Sequence, residues 1–264
     1  WNCLDKSMNT MTEDGLRSFQ QLVTEALSEE KIKGIIITSG KVDFSGGMDL
    51  STLEALKRNS GSDPASKIFD YIMQAHGLLR KIELGRIDDT SKSKPVAFAG
   101  SGICAGIGTE IGLACHRRFL SSSKNSKIGL PEILVGLFPG LGGTTRVPRM
   151  MGLMGASSVL LEGKLFTSDK AKSIGLIDEV VSEDELIQKA KDWVLSASPQ
   201  ELVKPWDQKG FKFPGGAPYH PSGFMSFVGA SALVNGKTKG LYFSAKALLS
   251  SVYEGALVDF DSAL

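Results

Sequence analysis

Apolar positions recur with a helical period between residues 15 and 27. In "GLRSFQQLVTEAL", Leu16, Phe19, Leu22, Val23, Ala26 and Leu27 fall on one face of an amphipathic helix. The pattern then changes. "GIIIT", residues 34–38, is a short β-branched run of the kind that forms a buried strand, and "KPVAFAG", residues 94–100, is another. A glycine-rich turn follows each, "SGGMD" after the first and "SGICAGIG" after the second, and helical patterns follow both turns. Strand, turn and helix in repetition predict an α/β domain with parallel strands. Further on, "GASSVLLEG" and "TSDKAKSIG" read as short helices, and "LIDEVV", residues 176–181, as a strand. Ser182 and Glu185 have the S-x-x-E spacing of a capping box opening "SEDELIQKAKDWVLSA". From Pro205 the chain turns rich in Pro, Gly and aromatic residues, which predicts a linker or extended loop, and residues 224–258 read as helical again. "RIDDTSKSK", residues 86–94, is polar enough for a surface loop. The opening "WNCLDKSMN" reads as the tail of a strand and a turn, so a piece of a longer protein is expected.

Composition narrows the function classes. A chain of 264 residues suits one large domain or two small ones, and 42% hydrophobic with 22% charged residues is ordinary for a globular protein with a real core. Lys and Arg total 30 against 29 Asp and Glu. That balance gives no footing for nucleic acid or a charged membrane surface. No apolar run approaches the ~20 residues of a membrane span, and no secretory signal is visible at the start. Cys3, Cys104 and Cys115 form neither a C-x-x-C pair nor an even framework, which fits a reducing compartment. His76, His116 and His220 lack metal-ligand spacing, so no metal site is expected and structural roles are the simpler reading.

The stretch "GSGICAGIGTEIG" admits two chemistries. Gly102, Gly106 and Gly108 give G-x-x-x-G-x-G, the spacing of a phosphate-cradling loop, and Tyr242 with Lys246 gives Y-x-x-x-K. Together they suggest a short-chain NAD(P) dehydrogenase, with Tyr as acid and Lys lowering its pKa. The context argues against it. About a hundred residues precede a loop that should follow the first strand, and no acidic residue ends the next strand to take a ribose hydroxyl. Eighteen residues follow Lys246, too few for the remaining parts of such a fold. A helix face carrying Tyr242 and a snorkelling Lys246 is the preferred reading.

Three segments fit another pattern, in order: "DFSGGMDL" after the first strand, "CAGIGTE" after the second, and "PEILVGLFPGLGG" some twenty residues later. This resembles the crotonase, or enoyl-CoA hydratase, superfamily, with its F-x-x-G-x-D turn, G-G-G-x-E turn and P-E-x-x-x-G-x-x-P-G-x-G-G segment. The likeness covers roughly residues 1–196, and the third segment is the most specific. It implies an α/β fold of the crotonase type, a spiral of ββα units, over 1–196, with a linker and helical segment over 197–264. The implied reaction is addition of water to a 2-enoyl-CoA thioester in fatty acid β-oxidation, with enoyl isomerisation as a side activity.

By residue-to-residue match, the resemblance implies that Glu110 and Glu132 hold and activate one water, one accepting a proton and the other supplying one to the α-carbon. The backbone N–H groups of Met48 and Ile107 would receive the thioester oxygen as it gains charge; losing such a donor costs about 3 kcal/mol. Lys6, Ser7, Met8, Phe44, Ser45 and Gly46 are implied around the CoA moiety. Asp49 joins that set or simply caps the helix that follows. Leu50, Gly106, Pro131 and Gly140 shape the substrate pocket, and Met48, Leu50, Leu134 and Phe138 are placed to touch the acyl chain. The family usually has glycine where Ile107 stands. Isoleucine cannot readily take φ > 0 and narrows the pocket, which bears on substrate size more than on the reaction.

"PWDQKGFKFPGG" and "AKALLSSVYEG" resemble the segment leading out of the hydratase part of multifunctional fatty acid oxidation proteins. That implies a following NAD-dependent 3-hydroxyacyl-CoA dehydrogenase domain. NAD would belong there, and no cofactor is expected in this chain. A homo-oligomer, a trimer by family resemblance, or a complex with a thiolase is implied, in bacterial cytoplasm or in a eukaryotic mitochondrial matrix or peroxisome. A non-catalytic CoA-binding module is the alternative; loss of one or both glutamates would mark it, and both are present.

Overall fold

The computed structural model describes residues 1–58, 61 and 63–264. The first helix, α1, spans Glu13–Ser28, and Thr12 caps it by accepting the Gly15 N–H at 3.1 Å. Leu16, Val23 and Leu27 point into the core, while Leu22, at the edge of the apolar stripe, is 64% exposed. Strand β1, Ile35–Thr38, leads through the first glycine turn into α2, Leu50–Arg58, and then α3, Pro64–Leu84. The latter starts where Asp63 accepts the Ser66 N–H and Pro64 occupies the first turn.

From there the chain winds in repeated units. Strand β2 (Val96–Gly100) is followed by β3 (Ile103–Ala105) and helix α4 (Ile107–Ala114). Strand β4 (Arg117–Ser121) is followed by β5 (Lys127–Gly129), a 3₁₀ turn at Pro131–Val135 and α5 (Gly143–Leu160). Then come β6 (Leu165–Thr167), α6 (Ser168–Ser173), β7 (Glu179–Val181) and α7 (Leu186–Ser196). Strands β1, β2, β4 and β7 form a parallel sheet in that order, and the short strands β3 and β5, which follow β2 and β4, form a small second sheet that β6 completes antiparallel to β5. The first unit follows the same rule through a single bridge between Ser45 and Cys104. Successive units are therefore displaced by one strand spacing, and the chain advances as a spiral.

Strand β2 shows how alternation serves two cores. Val96 and Phe98 point into the main core, while Ala97 and Ala99 meet Leu186, Ala190 and Val194 of α7 on the other face. Gly102 and Gly108 are packing glycines: a side chain at either would come within 2.6 Å of Asp43, Val42 or Ser45 in the first turn.

Several local expectations shift. "LIDEVV" is a strand only over Glu179–Val181, because Leu176 and Ile177 are buried in the turn before it and Asp178 holds the Arg118 guanidinium at 2.7 Å. The Ser182 hydroxyl bonds the Glu185 carboxylate instead of capping, and α7 begins at Leu186. α5 is broken at Gly152, at φ 72° and ψ 172°, so "GASSVLLEG" falls in the short helical segment that follows the kink, as expected. The segment after Pro205 is anchored, with Trp206 buried and stacked on Phe260 at 5.1 Å. Beyond it, α8 (Pro221–Thr238) and α9 (Phe243–Gly255) are separated by a left-handed turn at Lys239 and Gly240. Their Phe227, Val234, Leu248 and Val252 join the same hydrophobic core as α1 and α3 to α6. Among the described residues no helix is long and apolar enough to cross a membrane.

A buried ion pair ties α3 to α5. Arg146 donates to Glu83 at 2.9 and 3.0 Å, both side chains being fully out of solvent. Arg80 extends the network to Glu83, Asp207 and Asp261. Removing one partner leaves an uncompensated buried charge, which costs about 3–5 kcal/mol. Glu83→Leu is expected to lower stability in urea unfolding by about that amount, and the double variant Glu83→Leu/Arg146→Met to lose less than Glu83→Leu alone.

Candidate active site

The first turn is laid against β3 by the backbone. Ser45 donates its N–H to the Ile103 carbonyl and accepts the Ala105 N–H at its own carbonyl, both at 2.9 Å. Gly47 N–H is taken by the Ser45 hydroxyl and Asp49 N–H by the Met11 carbonyl. Asn9, fully buried, fastens the turn from below: its amide nitrogen lies 2.9–3.1 Å from acceptors on Trp1, Ser39 and Phe44. Among the described residues no acceptor takes the Met48 N–H.

The second turn is formed by Gly106, at φ 57° and ψ −126°, a conformation that only glycine adopts easily. A side chain there would come within 3.3 Å of both Glu132 Oε1 and Gly47 Cα, so the two turns touch. Because Gly106 takes the left-handed step, Ile107 sits in ordinary helical geometry as the first residue of α4. The conformational objection to isoleucine therefore falls away. Its side chain is buried and lines the cleft, while its N–H, at the positive end of the helix, has no acceptor among the described residues.

Both glutamates reach the same cleft, of about 660 Å³. Glu110, one turn into α4, is 2% exposed, and its Oε1 accepts the N–H groups of Leu141 and Gly143, each at 2.8 Å. Glu132 follows Pro131 in the 3₁₀ turn, and its Oε2 is buried with no hydrogen-bond partner among the described residues. Burial raises the pKa of both. For Glu110, the two backbone N–H groups and Arg146 oppose the rise. For Glu132, the Glu110 charge adds to it, and the value reaches about 8. Two carboxyls so placed resist ionising together.

Comparison with known proteins agrees with this geometry. The model of the enoyl-CoA hydratase/isomerase family matches residues 4–203. The chain belongs to the enoyl-CoA hydratase/isomerase family. The fatty acid oxidation complex subunit alpha of Shewanella loihica is 33% identical over 251 residues, covering 95% of this chain and 33% of that protein. The glyoxysomal fatty acid beta-oxidation multifunctional protein MFP-a of Cucumis sativus is 33% identical over 205 residues, covering 77% and 26%. The chain thus spans a quarter to a third of the length of these relatives. Among solved structures, an enoyl-CoA hydratase from Thermoplasma volcanium aligns with a TM-score of 0.61 at 22% identity, covering 98% of this chain and 88% of that one. One from Bacillus anthracis aligns with a TM-score of 0.60 at 23% identity, covering 96% and 84%. These two show the shared crotonase fold.

Within this family fold, the residues singled out in the sequence separate into groups. Gly46, Met48, Leu50, Gly106, Ile107, Pro131 and Gly140 line the cleft with the two glutamates, as do Leu134 and Phe138. Phe44 and Ser45 do not: both are fully buried, Phe44 packed on Phe98 at 4.6 Å and Ser45 under the turn. Their side chains lie out of solvent and support the turn from within. Lys6, Ser7 and Met8 lie outside the cleft lining. Met8 packs on Gly46, where a side chain would come within 2.6 Å of its sulfur. Asp49 both pairs with Lys6 and caps α2 through Ser51, and Lys6 first among these holds its carboxyl well below the usual range. Tyr242 and Lys246 make no acid pair; the Tyr242 hydroxyl donates to the Ile133 carbonyl.

Asn9, Arg146, His76 and Lys204 carry no motif and are seen only in the fold. Arg146 donates to the Leu141 carbonyl at 3.1 Å, and His76 Nε2 meets the Gly140 carbonyl at 2.7 Å, so the loop that grips Glu110 is itself gripped. Lys204, fully enclosed, donates to Leu113 and Cys115 carbonyls at the far end of α4. Burial pulls its pKa down to about 7.

The raised pKa of Glu132 has a sign for stability. What the neutral carboxyl contributes is complete below its ordinary value of 4.5 and is lost as pH rises through about 8. Glu132→Gln stays neutral throughout. It is expected to match wild type in thermal melting near pH 4 and to melt above it near pH 8, by roughly 2–4 °C for each kcal/mol recovered.

Proposed function

We propose that this chain is an enoyl-CoA hydratase that adds water to 2-enoyl-CoA thioesters in fatty acid β-oxidation. The observation that carries this reading is the pair of carboxyl groups in one cleft, beside two backbone N–H groups that have no acceptor among the described residues. In the proposed reaction the thioester oxygen accepts hydrogen bonds from Met48 and Ile107. Water lies between Glu110 and Glu132. Its oxygen bonds to the β-carbon while Glu110 takes one of its protons, and the double-bond electrons move onto the thioester oxygen, where the N–H groups and the α4 dipole stabilise them. Glu132, which burial and the neighbouring charge keep protonated, then gives its proton to the α-carbon. A later proton transfer from Glu110 to Glu132 restores the pair. Two preorganised carboxyls of opposite protonation suit general base and general acid.

Glu110 and Glu132 both being present favours hydration over a CoA-binding module without activity. Glu132 alone could move a proton between the α- and γ-carbons, so enoyl isomerisation is proposed as a side activity. The names and lengths of the relatives support a place in a multifunctional protein, with residues 1–196 as hydratase core and 197–264 as the segment leading to a 3-hydroxyacyl-CoA dehydrogenase. NAD would serve that dehydrogenase. Assembly as a homo-oligomer or with a thiolase, in bacterial cytoplasm or in a peroxisome or mitochondrial matrix, belongs to the same proposal.

The purified chain is expected to remove the conjugated absorbance of crotonyl-CoA or a longer 2-enoyl-CoA. Glu110→Gln and Glu132→Gln should each lower kcat by about 10²–10⁴ while circular dichroism stays native. Full turnover in the double variant would overturn the assignment.

A further inference from the structure

The turn at residues 256–264, after α9, folds back onto α5 and the loop before it. Phe260 is 5% exposed and stacks on Trp206 at 5.1 Å, the two rings 8° from parallel. Three guanidinium groups surround the same ring: Arg80 at 4.7 Å from its centroid, Arg146 at 5.3 Å and Arg149 at 5.5 Å. Glu83, Asp207 and Asp261 pair with the first two, and Arg149 donates to the carbonyls of Gly255, Val258 and Asp259. Phe260 is thus the apolar centre of a charged cluster that joins α3, α5 and the turn.

The same turn reaches the loop that holds Glu110. The Thr145 hydroxyl donates to the Ala263 carbonyl at 2.9 Å. Leu264 lies against Gly142, where an added side chain would meet both Leu264 Cδ2 and Arg146 Nη1. Gly142 separates Leu141 from Gly143, and the N–H groups of those two end on Glu110 Oε1. Trp206 links the stack to the other end of α4, because Lys204 lies 5.6 Å from its ring and donates to the Leu113 and Cys115 carbonyls.

We propose that Phe260 and the turn around it are a positioning element for the reaction: packed on Arg146 and Gly142, they set the two N–H donors that aim Glu110. The inference rests on the hydratase reading of the cleft. Residues 256–264 are no part of the cleft lining, so they act through the loop. The leverage is geometric. A hydrogen bond weakens steeply as its direction is lost, and a reacting group misplaced by about 1 Å costs about a hundredfold in rate. The two donors also oppose the rise that burial gives the Glu110 pKa, so loosening them raises it further.

The test uses Phe260→Leu, which removes the ring and keeps the site apolar, and Thr145→Val, which removes the hold on Ala263. Phe227→Leu, which deletes a ring of equal size from the core at α8, is the control for lost packing. Turnover is measured with crotonyl-CoA and affinity with unreactive butanoyl-CoA. Carbon-13 NMR follows the titration of Glu110 in a Glu132→Gln background, which leaves one carboxyl of the pair. Phe260→Leu is expected to lower kcat about tenfold or more and Thr145→Val about threefold. Both should raise the Glu110 midpoint by about half a unit or more and leave butanoyl-CoA affinity within about twofold. Phe227→Leu should melt earlier with kcat and midpoint near wild type. A midpoint unmoved in both variants, or moved as far in Phe227→Leu, overturns the proposal. So does a moved midpoint with wild-type kcat, or a loss of affinity as large as the loss in kcat, which is general damage. Thr145→Val decides the matter should Phe260→Leu fail to fold. Absence of turnover in wild type would sink the hydratase reading separately, and the titration would still judge the turn.

Discussion

The Glu83–Arg146 pair lies wholly out of water, and its second role is to hold a loop. Arg146 uses two nitrogens on Glu83 and the third on the Leu141 carbonyl. The N–H of Leu141 then points to Glu110, as does that of Gly143. A carboxylate on α4 is thus positioned by a guanidinium on α5 that is itself positioned by a carboxylate on α3. In a low-dielectric interior each member of such a chain depends on the next, because any one left unpaired carries the full cost of desolvation. His76 adds a neutral hold on Gly140 from the same helix α3.

The fold places a second carboxyl where ionisation is disfavoured. Glu132 has one oxygen buried without a partner among the described residues, and Glu110 as a carboxyl neighbour. A surface glutamate would relieve this by turning to solvent; here Pro131 and the 3₁₀ turn hold it in the cleft. Strain of this kind concentrates where it serves chemistry. The contrast between the two glutamates is environmental. Glu110 is supplied with two N–H donors that oppose the effect of burial, whereas among the described residues Glu132 Oε2 has none.

The glycines of "GSGICAGIGTEIG" owe their spacing to packing between two turns. Gly102 and Gly108 leave room for residues of the first turn, and Gly106 makes the left-handed step that brings Glu132 and Gly47 against it. A nucleotide loop needs glycines for a similar reason, close approach of backbone to a ligand, so the same letters serve both. The wedge that separates them is position: the turn lies between β3 and a fully buried helix, facing carboxylates that would repel a phosphate.

Local periodicity and motif order determined a good deal by themselves. The β-branched runs at 34–38 and 94–100, the apolar stripe over 15–27, and the three glycine-and-glutamate segments point to the α/β class and the family and single out two glutamates that the fold brings into one cleft, because those signals are short-range and chemically demanding. The three-residue strands β3, β5 and β6 were not legible, since so few residues carry no period. Nor was the fate of Phe44 and Ser45, whose motif positions say that the turn needs them but not on which side they lie. Asn9, Arg146 and Lys204 gain meaning only when elements distant in sequence meet, for a hydrogen bond is a relation between two places. Only the tertiary structure decided that Ile107 could replace a glycine, because the neighbouring Gly106 absorbs the one backbone angle that a β-branched side chain cannot take.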